Sequence, residues 1–259
     1  MKLDASGIDQ YESSFDPTAY LRQYYSLPKL AADDETLFRN LCGWLRRTGR
    51  IYRNALDIGC GPTIHNSFAL APFAERIDLA DYLDANLNEI RKWLECRPDA
   101  HDWDNLFRGV LECEETGANE LENRKRLYRS RVANLLHCDL RSADPIGRSD
   151  GYELVTSFFC PECVASSKDE WRAMMTEILR LVRPGGAVFF AAIRDAAHYE
   201  VLGKRFESTR IVESDYVDML RTAGFRSDAI AAEAVPAPDW KDDGFDQILL
   251  VHATKDTDE

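Results

Sequence analysis

The chain is predicted to fold as an α/β protein. The expected architecture is a mainly parallel sheet of seven strands with helices on both faces, an antiparallel edge strand and a helical N-terminal cover. Three observations lead there. Short apolar runs alternate with stretches of helical period along most of the chain. The run Ala55, Leu56, Ile58 leads straight into a turn with glycines at 59 and 61. Acidic residues then stand at the ends of predicted strands, at Asp57, Asp81 and Asp139.

Residues 15–48 carry helical signals, with Leu37, Phe38, Leu41, Trp44 and Leu45 on one face. Strands are expected near 54–59, 76–81, 135–139, 152–158, 186–193, 226–233 and 245–253. Val132 onward reads as a helix end or connector before the strand that closes on Asp139. Asp84 is placed to cap a helix whose apolar stripe is Leu87, Ile90 and Leu94, with Trp93 alongside. Ser167 and Glu170 have capping-box spacing ahead of Trp171, Met174, Met175, Ile178 and Leu179, and Pro184-Gly185-Gly186 is expected to stop that helix. A further helix, Ser214 to Ala223, closes at Gly224, and Asp243-Gly244 suggests that the last two strands form a hairpin. No repeat or linker interrupts the chain, so residues 1–259 read as one domain, with 1–50 as cover and lid and 51–259 as core.

A net charge of −13 argues against a nucleic-acid partner, which needs basic stripes. The basic group Arg124-Lys125-Arg126 with Arg129 and Arg131 is interleaved with acids and reads as a solvated helix face. There is no apolar run of the roughly twenty residues that a membrane span needs, and the polar N-terminus lacks a signal-peptide core. A cytoplasmic monomer or weak homo-oligomer is expected. The seven cysteines are an odd number and read as reduced thiols. Cys160-Pro161-Glu162-Cys163 alone has redox or metal spacing; without a second such pair no metal is expected, and these residues read as site walls.

Glycines 59 and 61 permit backbone angles that other residues resist and let a ligand lie against the main chain. The turn opens toward a helix N-terminus, which favours negative groups. Ile64 stands where a dinucleotide-binding fingerprint has its third glycine, which weakens a nicotinamide-cofactor reading. A carboxylate at the end of the second strand, Asp81, has two oxygens that match two ribose hydroxyls.

The ordered runs Phe15-Asp16-Pro17-Thr18-Ala19-Tyr20-Leu21-Arg22-Gln23-Tyr24-Tyr25, Asp57-Ile58-Gly59-Cys60-Gly61-Pro62-Thr63-Ile64 and Asp81-Tyr82-Leu83-Asp84-Ala85-Asn86-Leu87 carry a more specific signal. With Lys92-Trp93-Leu94, Asp102-Trp103, Cys138-Asp139-Leu140, Leu181 to Gly186 and Ala223-Gly224-Phe225, they resemble a family of small-molecule methyltransferases across nearly the whole chain. That family contains the nicotinamide, phenylethanolamine and indolethylamine N-methyltransferases and thioether S-methyltransferase.

The resemblance implies a class I methyltransferase, Rossmann-like sheet and S-adenosyl-L-methionine as cofactor. It assigns cofactor contacts to Tyr20, Tyr25, Asp57, Gly59, Gly61, Asp81, Tyr82, Asn86, Asp139 and Leu140, with Asp139 accepting the adenine amino group. His65 stands where the family often has tyrosine and is a candidate to hydrogen-bond the cofactor's carboxylate, and Phe158 is expected to line the cofactor and methyl region. Tyr24, Tyr199 and Ser208 fall in substrate-wall segments, and Glu162 and His198 are candidates to assist deprotonation of the acceptor. Tyr20, as a lid residue, joins those two as a catalytic candidate. The nicotinamide enzyme's aspartate on the fifth strand falls at Ala192, which argues against nicotinamide as acceptor. The expected reaction is N-methylation of a small amine or N-heterocycle. S-methylation of a thiol or thioether and a regulatory cofactor-binding role remain alternatives.

Overall fold

A computed structural model describes residues 7–26, 30–148 and 151–257. Two helices, α1 (Gly7–Ser14) and α2 (Pro17–Tyr25), precede the long α3 (Ala32–Thr48). Asp16 starts α2: its carboxylate accepts the amide hydrogens of Thr18 and Ala19 at 3.0 and 3.1 Å, and Pro17 takes the first helical position, where no amide hydrogen is needed. Gly49, with φ +59°, ends α3 in the left-handed conformation.

The alternating part follows as β1 (Ala55–Ile58), α4 (His65–Phe68), β2 (Ile77–Asp81), α5 (Asp84–Leu94), α6 (Asp104–Cys113), α7 (Leu121–Arg131) and β3 (Val132–His137). It continues with β4 (Tyr152–Phe158), α8 (Pro161–Val164), α9 (Lys168–Arg180), β5 (Val182–Ile193), β6 (His198–Val201), β7 (Lys204–Glu207), α10 (Glu213–Thr222), β8 (Ala231–Pro236) and β9 (Gln247–Thr254). Among the described residues, seven of the nine strands form one sheet, ordered β3-β2-β1-β4-β5-β9-β8. The first five in that order are parallel, and β9 runs antiparallel to both β5 and β8, which supplies the expected antiparallel element at that end.

Period-two alternation sends residues of one strand to two different cores. Ala55 packs with Phe38, Leu41, Phe68 and Phe107 on the α3/α6 face, whereas Leu56 and Ile58 pack with Trp171, Met175 and Ile178 on the α9 face. Ser167 caps α9 by accepting the Glu170 amide hydrogen at 3.2 Å, while Glu170 reaches the Ser166 amide, one residue short of a full capping box.

Several expectations need correction. Val132–His137 is itself the strand β3, an edge strand only partly buried, and Asp139 lies beyond its end. Pro184-Gly185-Gly186 does not stop α9, which ends at Arg180. It lies inside β5, where the register with β4 shifts between Tyr152 and Leu154. The segment 226–230 is not strand, so β8 begins later. Asp84 does not cap α5: Leu83 holds that position, and the Leu83 amide donates to Asp81 Oδ1 instead. A second sheet, the β6–β7 hairpin, was not expected at all.

Candidate functional site

A cleft of about 1140 Å3, counted to its open mouth, lies across the carboxyl ends of β1, β2, β4 and β5. The strand order reverses between β1 and β4, which is where open α/β sheets bind ligands. The cover closes it from above through Tyr11, Phe15, Tyr20, Tyr24 and Tyr25.

At the β1 and β2 side the floor is the turn Gly59–Thr63. Gly59 has φ +68°, and a side-chain carbon there would collide with Cys160 Sγ, so strand packing as well as ligand access demands glycine. Gly61 has φ +59° with open space beside it. The Gly61 amide donates to Asp81 Oδ2 at 2.8 Å, and Asp81 Oδ1 accepts from the Leu83 amide at 2.9 Å and Asn86 Nδ2 at 2.8 Å. Asp81 therefore lines the cleft in a fixed orientation with part of its acceptor capacity free. Burial pushes its carboxyl upward, and these hydrogen bonds oppose the shift.

Tyr82, Leu140 and Phe158 also line the cleft. The Tyr82 hydroxyl donates to Glu12 and accepts from Arg141, both at 3.2 Å. On the cover, the Tyr20 and Tyr25 hydroxyls are 3.3 Å apart, and burial raises both phenols far above their usual range. The Tyr24 hydroxyl donates to the Glu200 carbonyl at 2.7 Å, and its ring lies 4.8 Å from that of Trp240. Tyr199, stacked on Phe206, completes this side.

Other candidate residues stand behind the wall. Asp57 is buried, accepts from Thr156 Oγ1 at 3.0 Å, and is held up at about 7 by burial. Asn86 is fully buried and bridges Asp81 to the Tyr11 hydroxyl, so it touches the cleft only through them. His65 is buried beside Tyr25 and stacks on Trp103 at 5.3 Å; burial, then His101, lowers it to about 3, which keeps the ring neutral. The four-residue helix it begins is too short to act as an anion site. Asp139 forks onto Arg141 at 2.9 and 3.1 Å rather than facing the cleft, and its neighbours Cys138 and Leu140 form the wall.

The acceptor candidates divide in the same way. Glu162 is fully buried, its Oε1 accepting the Ile193 amide hydrogen at 3.0 Å, and Ile193 rather than Glu162 faces the cleft. Burial raises its carboxyl to about 7. His198 packs against Gly244 and Ser208 bonds through its amide to Ala197; neither lines the cleft. Ala192 is buried in the α9-side core, so the fifth-strand comparison made from sequence concerned the wrong face.

Sequence reasoning missed Tyr11, Phe15, Asp33, Trp240 and Phe245, all on the cleft wall. Asp33, in the first turn of α3, accepts Trp240 Nε1–H with both oxygens, at 2.9 and 3.0 Å. Aromatic residues four or five apart near both ends of the chain, Tyr11 and Phe15, Trp240 and Phe245, were the available signal for the rest.

The sheet order, the glycine turn and the carboxylate after the second strand define a class I methyltransferase fold. Residues 4–255 match the NNMT/PNMT/TEMT family, and the chain belongs to it. It is thus an S-adenosylmethionine-dependent methyltransferase.

Mouse indolethylamine N-methyltransferase is 28% identical over 224 residues, covering 84% of each chain. Rat phenylethanolamine N-methyltransferase is 28% identical over 235 residues, 86% of this chain and 81% of the relative. Human nicotinamide N-methyltransferase is 25% identical over 234 residues, 87% of each. Among solved structures, the 1,6-didemethyltoxoflavin-N1-methyltransferase of Burkholderia thailandensis superposes with a TM-score of 0.57 at 17% identity, over 100% of this chain and 94% of that one. The magnesium protoporphyrin IX methyltransferase of Synechocystis gives 0.56 at 14% identity, over 95% and 97%. At such identities the structural likeness speaks for the fold.

Proposed function

We propose that the chain is one methyltransferase domain that transfers a methyl group from S-adenosylmethionine to nitrogen of a small amine or N-heterocycle. The observation that carries this is the division of the cleft, with a glycine turn and fixed carboxylate on one side and an aromatic, largely apolar chamber on the other.

The residues present fit the cofactor. The side-chain-free faces of the turn leave room against the main chain, and Asp81 retains acceptor capacity for ribose hydroxyls. Tyr82 and Leu140 flank the adenine side, while Tyr20, Tyr25 and the turn enclose the amino-acid end. Once bound, the cofactor supplies a methyl group on a sulfonium, so no protein nucleophile is required. The chain's own task is to align the acceptor lone pair and exclude water. Tyr20, Tyr24, Tyr25 and Phe158 do so as walls, with α1 and α2 serving as a lid. Asp57, Asn86 and His65 support that wall from behind. Glu162 holds the end of β5 through the Ile193 amide and thereby shapes the acceptor side, instead of touching the acceptor.

Free thiols at all seven cysteines accord with a reducing, cytoplasmic setting. Among the described residues no helix is long and apolar enough to cross a membrane. The test is a mass-spectrometric screen of small amines, N-heterocycles and thiols with S-adenosylmethionine. Gain of one methyl group on nitrogen is the expected result. Transfer only to sulfur would overturn the choice of acceptor atom, and cofactor binding without any transfer would favour a regulatory role.

A further inference from the structure

Segments from three remote parts of the chain wall the cleft: α2 carries Tyr20, Tyr24 and Tyr25, β6 carries Tyr199, and Trp240 and Phe245 lie between β8 and β9. The Gln23 side chain joins all three. Its Nε2 donates to the Glu200 carbonyl of β6 and to Asp243 Oδ1, each at 3.2 Å, and its Oε1 accepts the Leu202 amide hydrogen at 2.6 Å. Both ends of the carboxamide are therefore engaged.

The contact with the hairpin has a definite pattern. A carbonyl and an amide hydrogen two residues apart, at Glu200 and Leu202, are what a strand edge offers to a neighbouring strand, and the Gln23 carboxamide fills that place from a helix. Tyr24 adds its hydroxyl to the same Glu200 carbonyl at 2.7 Å. Lys204 of β7 donates to the Ser14 carbonyl at 3.3 Å, so the end of α1 is tied to the hairpin too. Gln23 itself is half-buried and does not line the cleft. Polar contacts near solvent between a cover and its seat are the kind that a lid breaks and remakes, since water replaces each lost partner.

We propose that Gln23 is a positioning residue that latches the α1–α2 lid to the β6–β7 hairpin and so sets how long the spent cofactor stays bound. This rests on the reading of α1 and α2 as a lid over the cofactor. Gln23 touches neither cofactor nor acceptor; it acts by holding Tyr20, Tyr24 and Tyr25 against the opposite wall.

The test follows release of radiolabelled S-adenosylhomocysteine from the full-length protein into excess unlabelled ligand, alongside the melting temperature of the ligand-free protein. Failure of the wild type to bind would overturn the cofactor reading and the latch with it, whereas the ratio of release rates tests the latch alone. In Gln23→Ala release should be at least about fivefold faster, the worth of one net hydrogen bond, while the melting temperature falls by less than about 4 °C. Gln23→Glu keeps an oxygen for the Leu202 amide but turns an acceptor toward the Glu200 carbonyl and the Asp243 carboxylate, so release should again be at least about fivefold faster. Adding Asp243→Asn to that variant supplies a donor to the new carboxylate and should slow release again by about twofold or more. Should Gln23→Ala melt lower than expected, this rescue decides, because general loss of structure would not be reversed by a second substitution. Release at the wild-type rate in Gln23→Ala would overturn the proposal whatever the melting temperature. Release in Gln23→Glu that Asp243→Asn leaves unslowed would do the same.

Discussion

Asp81 Oδ2 accepts the Gly61 amide hydrogen at 2.8 Å, which ties the end of the second strand to the glycine turn after the first. The same carboxylate therefore sets the shape of the turn and presents acceptor capacity to the cleft. Asp81→Ala should weaken binding of S-adenosylmethionine by about 1.5–3 kcal/mol, the scale of charged hydrogen bonds lost from two hydroxyls. Titration calorimetry measures this. Unchanged affinity would remove Asp81 from the cofactor site.

The parts of this site legible in sequence are those fixed by local chain geometry. The turn at Gly59 and Gly61 must follow an apolar strand, so the order of residues alone places Asp57 in the first strand and Asp81 at the end of the second. The β6–β7 hairpin also left a local trace, since Tyr199, Val201 and Phe206 are its buried positions and Leu202-Gly203, with φ +48° and +74°, forms its turn. Its strands are no shorter than β1, but no two-glycine turn with a flanking acid marks them as the turn after β1 is marked. Asp33 left none: a helix-starting Asp33-Asp34-Glu35 run is common, and its partner Trp240 lies far along the chain. Burial of Glu162 and His65 was equally invisible, because it is imposed by elements remote in sequence.

Glu162 yields a pH prediction with a definite sign. Burial holds its folded carboxyl at about 7 against an ordinary value of 4.5. The folded state thus binds this proton more tightly than the unfolded chain. Its stabilising contribution is full below 4.5 and is lost as pH rises to about 7. Glu162→Gln keeps an oxygen for the Ile193 amide and carries no charge, so it should flatten that decline by roughly 3 kcal/mol between about pH 4 and 8. Urea unfolding at several pH values checks it. A variant with the wild-type slope would show that Glu162 is charged in the fold.

Among the described residues the Tyr20 hydroxyl has one partner, the Tyr25 hydroxyl at 3.3 Å, and both tyrosines line the cleft. Tyr20→Phe should leave the melting temperature nearly unchanged but raise KM for the cofactor by about two- to tenfold, the worth of one neutral hydrogen bond. Steady-state kinetics with a thermal melt separates the two effects. A large fall in melting temperature with unaltered KM would make Tyr20 a packing residue.

The two glycines of the turn differ in what they must avoid, and this separates conformational strain from collision. At Gly61, φ +59° is the only obstacle, so Gly61→Ala should cost about 1–2 kcal/mol, the penalty for a left-handed non-glycine residue. At Gly59 the same penalty is joined by overlap of the new methyl group with Cys160 Sγ and Cβ. Because Cys160 begins the segment whose Cys163 and Val164 line the cleft, relief of that overlap must displace the wall as well as the turn. Gly59→Ala should therefore lose about 1–3 kcal/mol more than Gly61→Ala, the range for overpacking a filled site. Adding Cys160→Gly removes the colliding atoms and should recover most of that extra loss while leaving the φ penalty in place. A double-mutant cycle by chemical denaturation measures the coupling. If Cys160→Gly restores nothing in the Gly59→Ala background, the requirement for glycine is conformational alone and the contact between turn and wall is not what fixes residue 59.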